Sequence, residues 1–208
     1  EMYRGLEHAD VHQQVTGEWP GTLALPSVVE LMPSALALGG MSKVFGMPGI
    51  RLGWLVSQDL SLMRRINELK DYTTICPASP SERLAIIGLR AKSQILKRNR
   101  QKLRAGLEAL REFTAARQGA LEWCDVSGGT MMLLRLRAGS SVLYCSHLAR
   151  EASVMLVPAV KFDDEDGGLG NNRFRVGFGG HTHLLMSGLD AWASHHQDAL
   201  QVAVGGNK

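Results

Sequence analysis

Apolar positions recur along the chain at two spacings, and the spacing changes several times. Ser34–Leu38 and Leu52–Val56 are short apolar runs punctuated by Pro and Gly, which predicts two buried strands. From Asp59 to Leu69, apolar residues fall at Leu60, Met63, Ile66 and Leu69, the stripe of an amphipathic helix. Pro80–Ala91 and Ile95–Ala116 predict two further helices in succession. Ser79 as cap and Pro80 at the first position start the former. The latter lines up Ile95, Leu103, Leu107, Leu110 and Phe113 on one face, with Gly119 as terminator. Beyond it the pattern shortens to strands at Leu121–Val126, Thr130–Leu136, Val154–Pro158 and Phe174–Phe178. A helix capped by Ser140 or Ser141 runs to about Glu151, and another opened by His181 or Thr182 runs to about Val202. Residues 8–33, with Pro20, Pro26 and Pro33, read as a loop with at most a short helix near Val28–Met32. Asp163–Asn172 reads as a surface loop, and Gly205–Lys208 as a frayed tail. The order of elements predicts an α/β chain.

Composition narrows the class without changing it. A chain of 208 residues that is 45% hydrophobic and 21% charged can bury a sizeable core. A net charge of +3 is too small to argue for nucleic acid, and the basic run Lys97–Arg104 lacks interleaved aromatics, so it reads as a solvated helix face. No apolar stretch reaches membrane-spanning length. Cys76, Cys124 and Cys145 stand far apart without metal-ligand spacing, which favours free thiols in a reducing, cytoplasmic setting. Cys76 reads as a packed thiol, with no nearby His to activate it. His8 and His12 have the i,i+4 spacing of zinc ligands but no placed third ligand. The acidic cluster Asp163–Asp166 lacks calcium-loop spacing and a closing Glu. Neither predicts a metal.

The chemically suggestive stretch is Gly40–Trp54. Lys43 sits in a loop containing Gly46, Pro48 and Gly49, and Arg51 follows it at the edge of the second apolar run. Glycines let backbone approach a ligand closely. A guanidinium suits bidentate capture of phosphate, and an amine in a confined, partly apolar setting can become a nucleophile toward a carbonyl. The alternative reading is a lysine and an arginine on an ordinary loop. A second string, Arg173–Phe178, carries Arg173 and Arg175 on one strand face, where periodicity alone does not choose between them.

Ser42-Lys43 followed by Gly-x-x-Gly-x-Arg-x-Gly resembles the cofactor-lysine signature of the class I/II aminotransferases, fold-type I enzymes that use pyridoxal 5′-phosphate (PLP). The resemblance implies that Lys43 forms the Schiff base with PLP beside Ser42, and that Arg51 binds its phosphate. It implies that Tyr3, in a segment similar to the family's Asp-Glu-x-Tyr-x-Gly, bonds the phenolic oxygen, and that Arg175 fixes the substrate α-carboxylate. The aspartate of that segment would fall one place before Glu1, and the phosphate-binding serine many members carry three residues before the lysine is replaced by Gly40. The implied fold is the C-terminal part of the aspartate aminotransferase-like PLP transferase fold. Residues 1–94 would be the remainder of the large domain, and 95–208 the interdomain helix and a small α+β domain. By the same resemblance the Asp71–Cys76 connector, with Tyr72 and Thr74, approaches the partner's site in a homodimer. The implied partners are an amino acid and a keto acid. Alone, the chain is expected to be a poor catalyst or inert.

Three functions follow. The first is an amino-acid aminotransferase. The second is another PLP reaction, a cyclase or lyase of the kind run by capreomycidine synthase-like bacterial members on arginine-like amino acids. The third is a non-catalytic PLP-fold sensor domain of a transcriptional regulator.

Overall fold

A computed structural model of the chain describes residues 2–6, 26–123, 126, 128–162 and 170–205. His8, His12, Cys124, most of the Asp163–Asn172 loop and the end of the tail lie outside the described residues. The chain divides into two compact units, Glu1–Arg100 with Ser127–Gly129, and Gln101–Val126 with Thr130–Lys208.

In the first unit, strands β1 (Leu36–Gly40) and β2 (Gly53–Ser57) pair antiparallel, from Leu36 opposite Ser57 to Gly40 opposite Gly53. The short helix α1 (Val28–Leu31) precedes them. Helices α2 (Leu60–Thr73) and α3 (Ser79–Arg90) follow, then the first turns of α4 (Lys92–Ala115). Asp59 caps α2 through bonds from the Ser61 and Leu62 N–H groups. Those bonds, with the Ser61 hydroxyl, hold its carboxyl below the usual carboxylate range.

Four expectations need correction here. β1 begins two residues and β2 one residue later than predicted, and neither is a buried strand: Ala37 is buried, but Leu36, Leu38, Leu55 and Val56 are exposed. α2 runs four residues past Leu69 into the polar segment, because Asp71–Thr73 lose nothing by remaining helical on an exposed face. Ala78 caps α3, not Ser79, which is already in the helix with Pro80 in its first turn, where no intrahelical N–H is needed. Cys76 is exposed, because it follows Ile75, a left-handed residue (φ 50°) that turns the chain away from α2.

The second unit is an antiparallel sheet in the order β3 (Leu121–Trp123), β4 (Met131–Leu136), β6 (Arg173–Gly177), β5 (Val157–Pro158). Helices α5 (Ser141–Glu151), α6 (Thr182–Gly205) and the rest of α4 complete it. β4 and β6 alternate as their sequences require. Met132, Leu134, Leu136, Phe174 and Val176 are buried, while Leu133, Arg135, Arg173 and Arg175 lie on the other face. In this unit α4 buries Leu103, Leu107, Leu110 and Phe113; its earlier turns, in the first unit, bury Leu96 and leave Ile95 only partly buried. β5 is two residues long rather than five.

A buried polar chain joins α5 to α6. Trp192 Nε1–H donates to Tyr144 Oη at 2.6 Å, and the Tyr144 hydroxyl reaches His196 Nδ1 at 2.6 Å. Indole can only donate, so the tyrosine hydroxyl accepts from it and donates its O–H to His196 Nδ1, which leaves His196 neutral with its own proton on Nε2. Phe174 packs on Tyr144 at 5.5 Å and on Trp192 at 5.9 Å between ring centroids. Burial pushes Tyr144 upward and brings His196 down to about 4, with Arg117 adding to the latter effect.

Two outcomes follow. Because His196 titrates near 6.5 when unfolded and about 4 when folded, the unfolded chain binds more protons in that window. Stability from this group is fully present above the upper value and is lost as pH falls toward and through the lower one. Denaturant titrations at about pH 7 and about pH 4.5 should therefore show a smaller loss for His196→Gln than for the unchanged protein. Gly106 in α4 sits where a Cβ would approach Phe178 O to 2.3 Å. Gly106→Ala should therefore lose about 1–2 kcal/mol in urea unfolding, even though alanine favours a helix by about 1 kcal/mol.

Candidate functional site

Lys43 is exposed between buried neighbours. Met41 is fully buried before it, and Val44 and Phe45 are buried after it, so the chain is pinned on both sides of the amine. The turn is closed by Gly46 N–H to Lys43 O and Met47 N–H to Met41 O, each at 2.9 Å, and Gly46 takes the left-handed conformation (φ 67°). Met41 N–H bonds Leu52 O at 3.0 Å, tying the turn to the start of β2. From α4, Asn99 Nδ2 donates to Val44 O at 2.9 Å. The amine is thus outward, not confined as the sequence predicts, because burial is spent on its neighbours.

Tyr3 lies in the turn formed by residues 2–5, with its ring centroid 5.9 Å from Lys43 Nζ. Leu6, nearly inaccessible, anchors this turn; its O accepts from Gly129 N–H at 3.1 Å, and Arg100 Nε donates to Gly5 O at 2.7 Å. Ser42 is partly buried within the lysine turn. Among the described residues the Lys43 amine has no hydrogen bond or ion pair, and it faces the Tyr3 ring.

Arg51 follows a single helical turn (Pro48–Ile50) and adopts a left-handed backbone, φ 55° and ψ 38°. Its Nη1 donates to Pro48 O at 2.8 Å, and the residue is exposed. An arginine where glycine would be unstrained costs of order 1 kcal/mol, a pattern concentrated at ligand clamps. Glycines shape the strand pair behind it. A Cβ on Gly39 would meet the Trp54 indole at 2.3 Å, and one on Gly40 would lie 3.3 Å from Leu52 O and 3.4 Å from Gly53 Cα. Gly40 is therefore where β2 presses closely on β1, and a serine there would crowd backbone.

Arg175 lies in the second unit, half-buried on β6. The structure separates it from Arg173. Arg173 is engaged by other groups, whereas the Arg175 guanidinium makes no hydrogen bond or ion pair among the described residues and rests on the Phe162 ring. Sequence reasoning missed Phe162, Asn99 and Arg100. The last two fell in a basic run read as solvated. Yet they sit one turn from both Leu96 and Leu103, so the helical period placed them on the inward face. For Phe162 no comparable signal exists in the sequence.

Among the described residues, no group of three or more His, Cys, Asp or Glu could hold a metal ion, and no helix is long and apolar enough to cross a membrane. Capreomycidine synthase from Streptomyces vinaceus is 29% identical over 171 residues, covering 81% of this chain and 41% of its own. A PLP-dependent aminotransferase from Streptococcus suis superposes with a TM-score of 0.79 at 23% identity, covering 95% of this chain and 47% of that one. The PLP-dependent cyclase OrfR gives 0.78 at 23%, covering 95% and 49%. The fold is that of the PLP-dependent aminotransferases, and the chain spans about half the length of these relatives or less. The family described as "Aminotransferase class I and II" matches residues 1–189, so the chain belongs to the class I and II aminotransferases.

Proposed function

We propose that this chain carries the cofactor lysine and two anion-binding arginines of a PLP-dependent amino-acid aminotransferase. Family membership indicates pyridoxal phosphate as the cofactor, and the residues present suit it. The observation that carries the reading is the lysine turn: an exposed amine without an acid partner among the described residues, fixed by buried neighbours, 5.9 Å from a tyrosine ring.

In this reading Lys43 Nζ would hold the cofactor and would move the substrate α-proton as a general base. Arg51 holds the phosphate, with Ser42 beside the lysine. Tyr3 would offer its hydroxyl to the cofactor's ring oxygen, with its ring beside Lys43 Nζ. Arg175 takes the substrate α-carboxylate, since its planar fork matches that group bidentately. The cofactor, when bound, supplies an electron sink for the bond broken at the α-carbon. An amino acid and a keto acid are the substrates.

The similarity to capreomycidine synthase and OrfR favours a second reading, in which the same residues serve a cyclisation or elimination. Amino-acid consumption without stoichiometric amino transfer by the whole protein would select it. We also infer a cytoplasmic homodimer. Tyr72 in the last turn of α2, Ile75 on the α2–α3 connector, and Leu84, Ile86, Ile87 and Leu89 on α3 are exposed apolar groups that a two-fold partner would cover.

Purified protein mixed with PLP should develop a visible absorption band that borohydride abolishes and Lys43→Ala lacks. A band unchanged in Lys43→Ala, or no band even in the complete gene product, refutes the lysine assignment. Arg51→Gly should leave unfolding free energy within about 1 kcal/mol, because relief of the left-handed backbone offsets the lost bond to Pro48. PLP affinity should fall by about 10-fold or more in the same variant. Unchanged affinity would remove Arg51 from the phosphate site.

A further inference from the structure

The guanidinium carbon of Arg175 lies 4.5 Å from the centroid of the Phe162 ring. Phe162 follows the helical turn Ala159–Lys161, and its N–H bonds Ala159 O at 2.8 Å, which fixes the backbone that carries the ring. It is 49% exposed, so core filling does not account for it. On the sheet, Arg175 stands opposite Leu133 of β4 and Val157 of β5. Directly opposed residues share a face, so the arginine stem runs between two aliphatic side chains. Neither neighbour offers an acceptor, and none of the described residues pairs with the guanidinium.

We propose that Phe162 is a positioning residue for Arg175. Its ring lies against the guanidinium, restricts the side chain and leaves N–H groups for a planar carboxylate. This rests on the assignment of Arg175 to the substrate α-carboxylate. An arginine has several rotatable bonds and loses rotamer freedom on binding. The ring contact removes part of that freedom before the ligand arrives.

The test uses the Arg175 Nε–H resonance of the isotope-labelled chain, assigned by its disappearance in Arg175→Lys. The probe is 2-methylalanine, an amino acid with no α-proton to lose. The resonance should show a ring-current shift in the unchanged protein and in Phe162→Tyr, and lose it in Phe162→Leu. The probe should move it saturably in all three, with a dissociation constant about 3- to 10-fold weaker in Phe162→Leu alone. Equal constants in the unchanged protein and Phe162→Leu would overturn the role of Phe162 while leaving Arg175 as the carboxylate group. A resonance that the probe never moves would overturn both.

Discussion

A polar side chain can be held in one place by burying the residues beside it, and both candidate functional groups depend on that constraint. Met41, Val44 and Phe45 go inward, so Lys43 is left at the surface of a turn whose backbone cannot rotate without exposing them. Phe174 and Val176 go inward on β6, so Arg175 must face the other way. The energy that orients an amine or a guanidinium comes from apolar neighbours, not from the polar group itself. Each fully buried apolar side chain contributes about 1.5–3 kcal/mol, more than an exposed ion pair would.

Backbone proximity is the second device. Gly39 and Gly40 let Trp54 and the start of β2 close on β1, and Gly106 lets the chain after β6 approach α4. In the second unit, the chain Trp192–Tyr144–His196 adds directionality that hydrophobic contact lacks. Each donor has one acceptor, so α5 and α6 have one favoured register about Phe174. Removing the Tyr144 hydroxyl would leave Trp192 Nε1 and His196 Nδ1 without these bonds, which costs more than the bonds themselves.

Much of this was legible in the sequence. The stripe on α4, the alternation on β4 and β6 and the lysine string all come from spacing, and spacing is a local property. What was not legible came from tertiary placement. Leu36 and Leu38 look like core in sequence, but burial depends on what lies across the sheet, and among the described residues one face of β1 is open. Lys43 looks enclosed by apolar residues, yet those residues take the interior for themselves. Arg173 and Arg175 are equivalent by period, and the partners around each distinguish them. Arg51 shows the same limit at the backbone: its left-handed conformation is not a property of arginine, and only the preceding turn imposes it.

Cys145 sits on the buried face of α5, and burial pushes its thiol up to about 12. Thiol reagents attack the thiolate, so at neutral pH this sulfur is doubly protected, by access and by its proton. Cys76 on the α2–α3 connector is open to solvent. Of these two thiols, an alkylating reagent would mark Cys76 at once and reach Cys145 only when the packing around α5 opens. The chain thus carries its own clock, in which the slow labelling of one sulfur times the opening of the second unit.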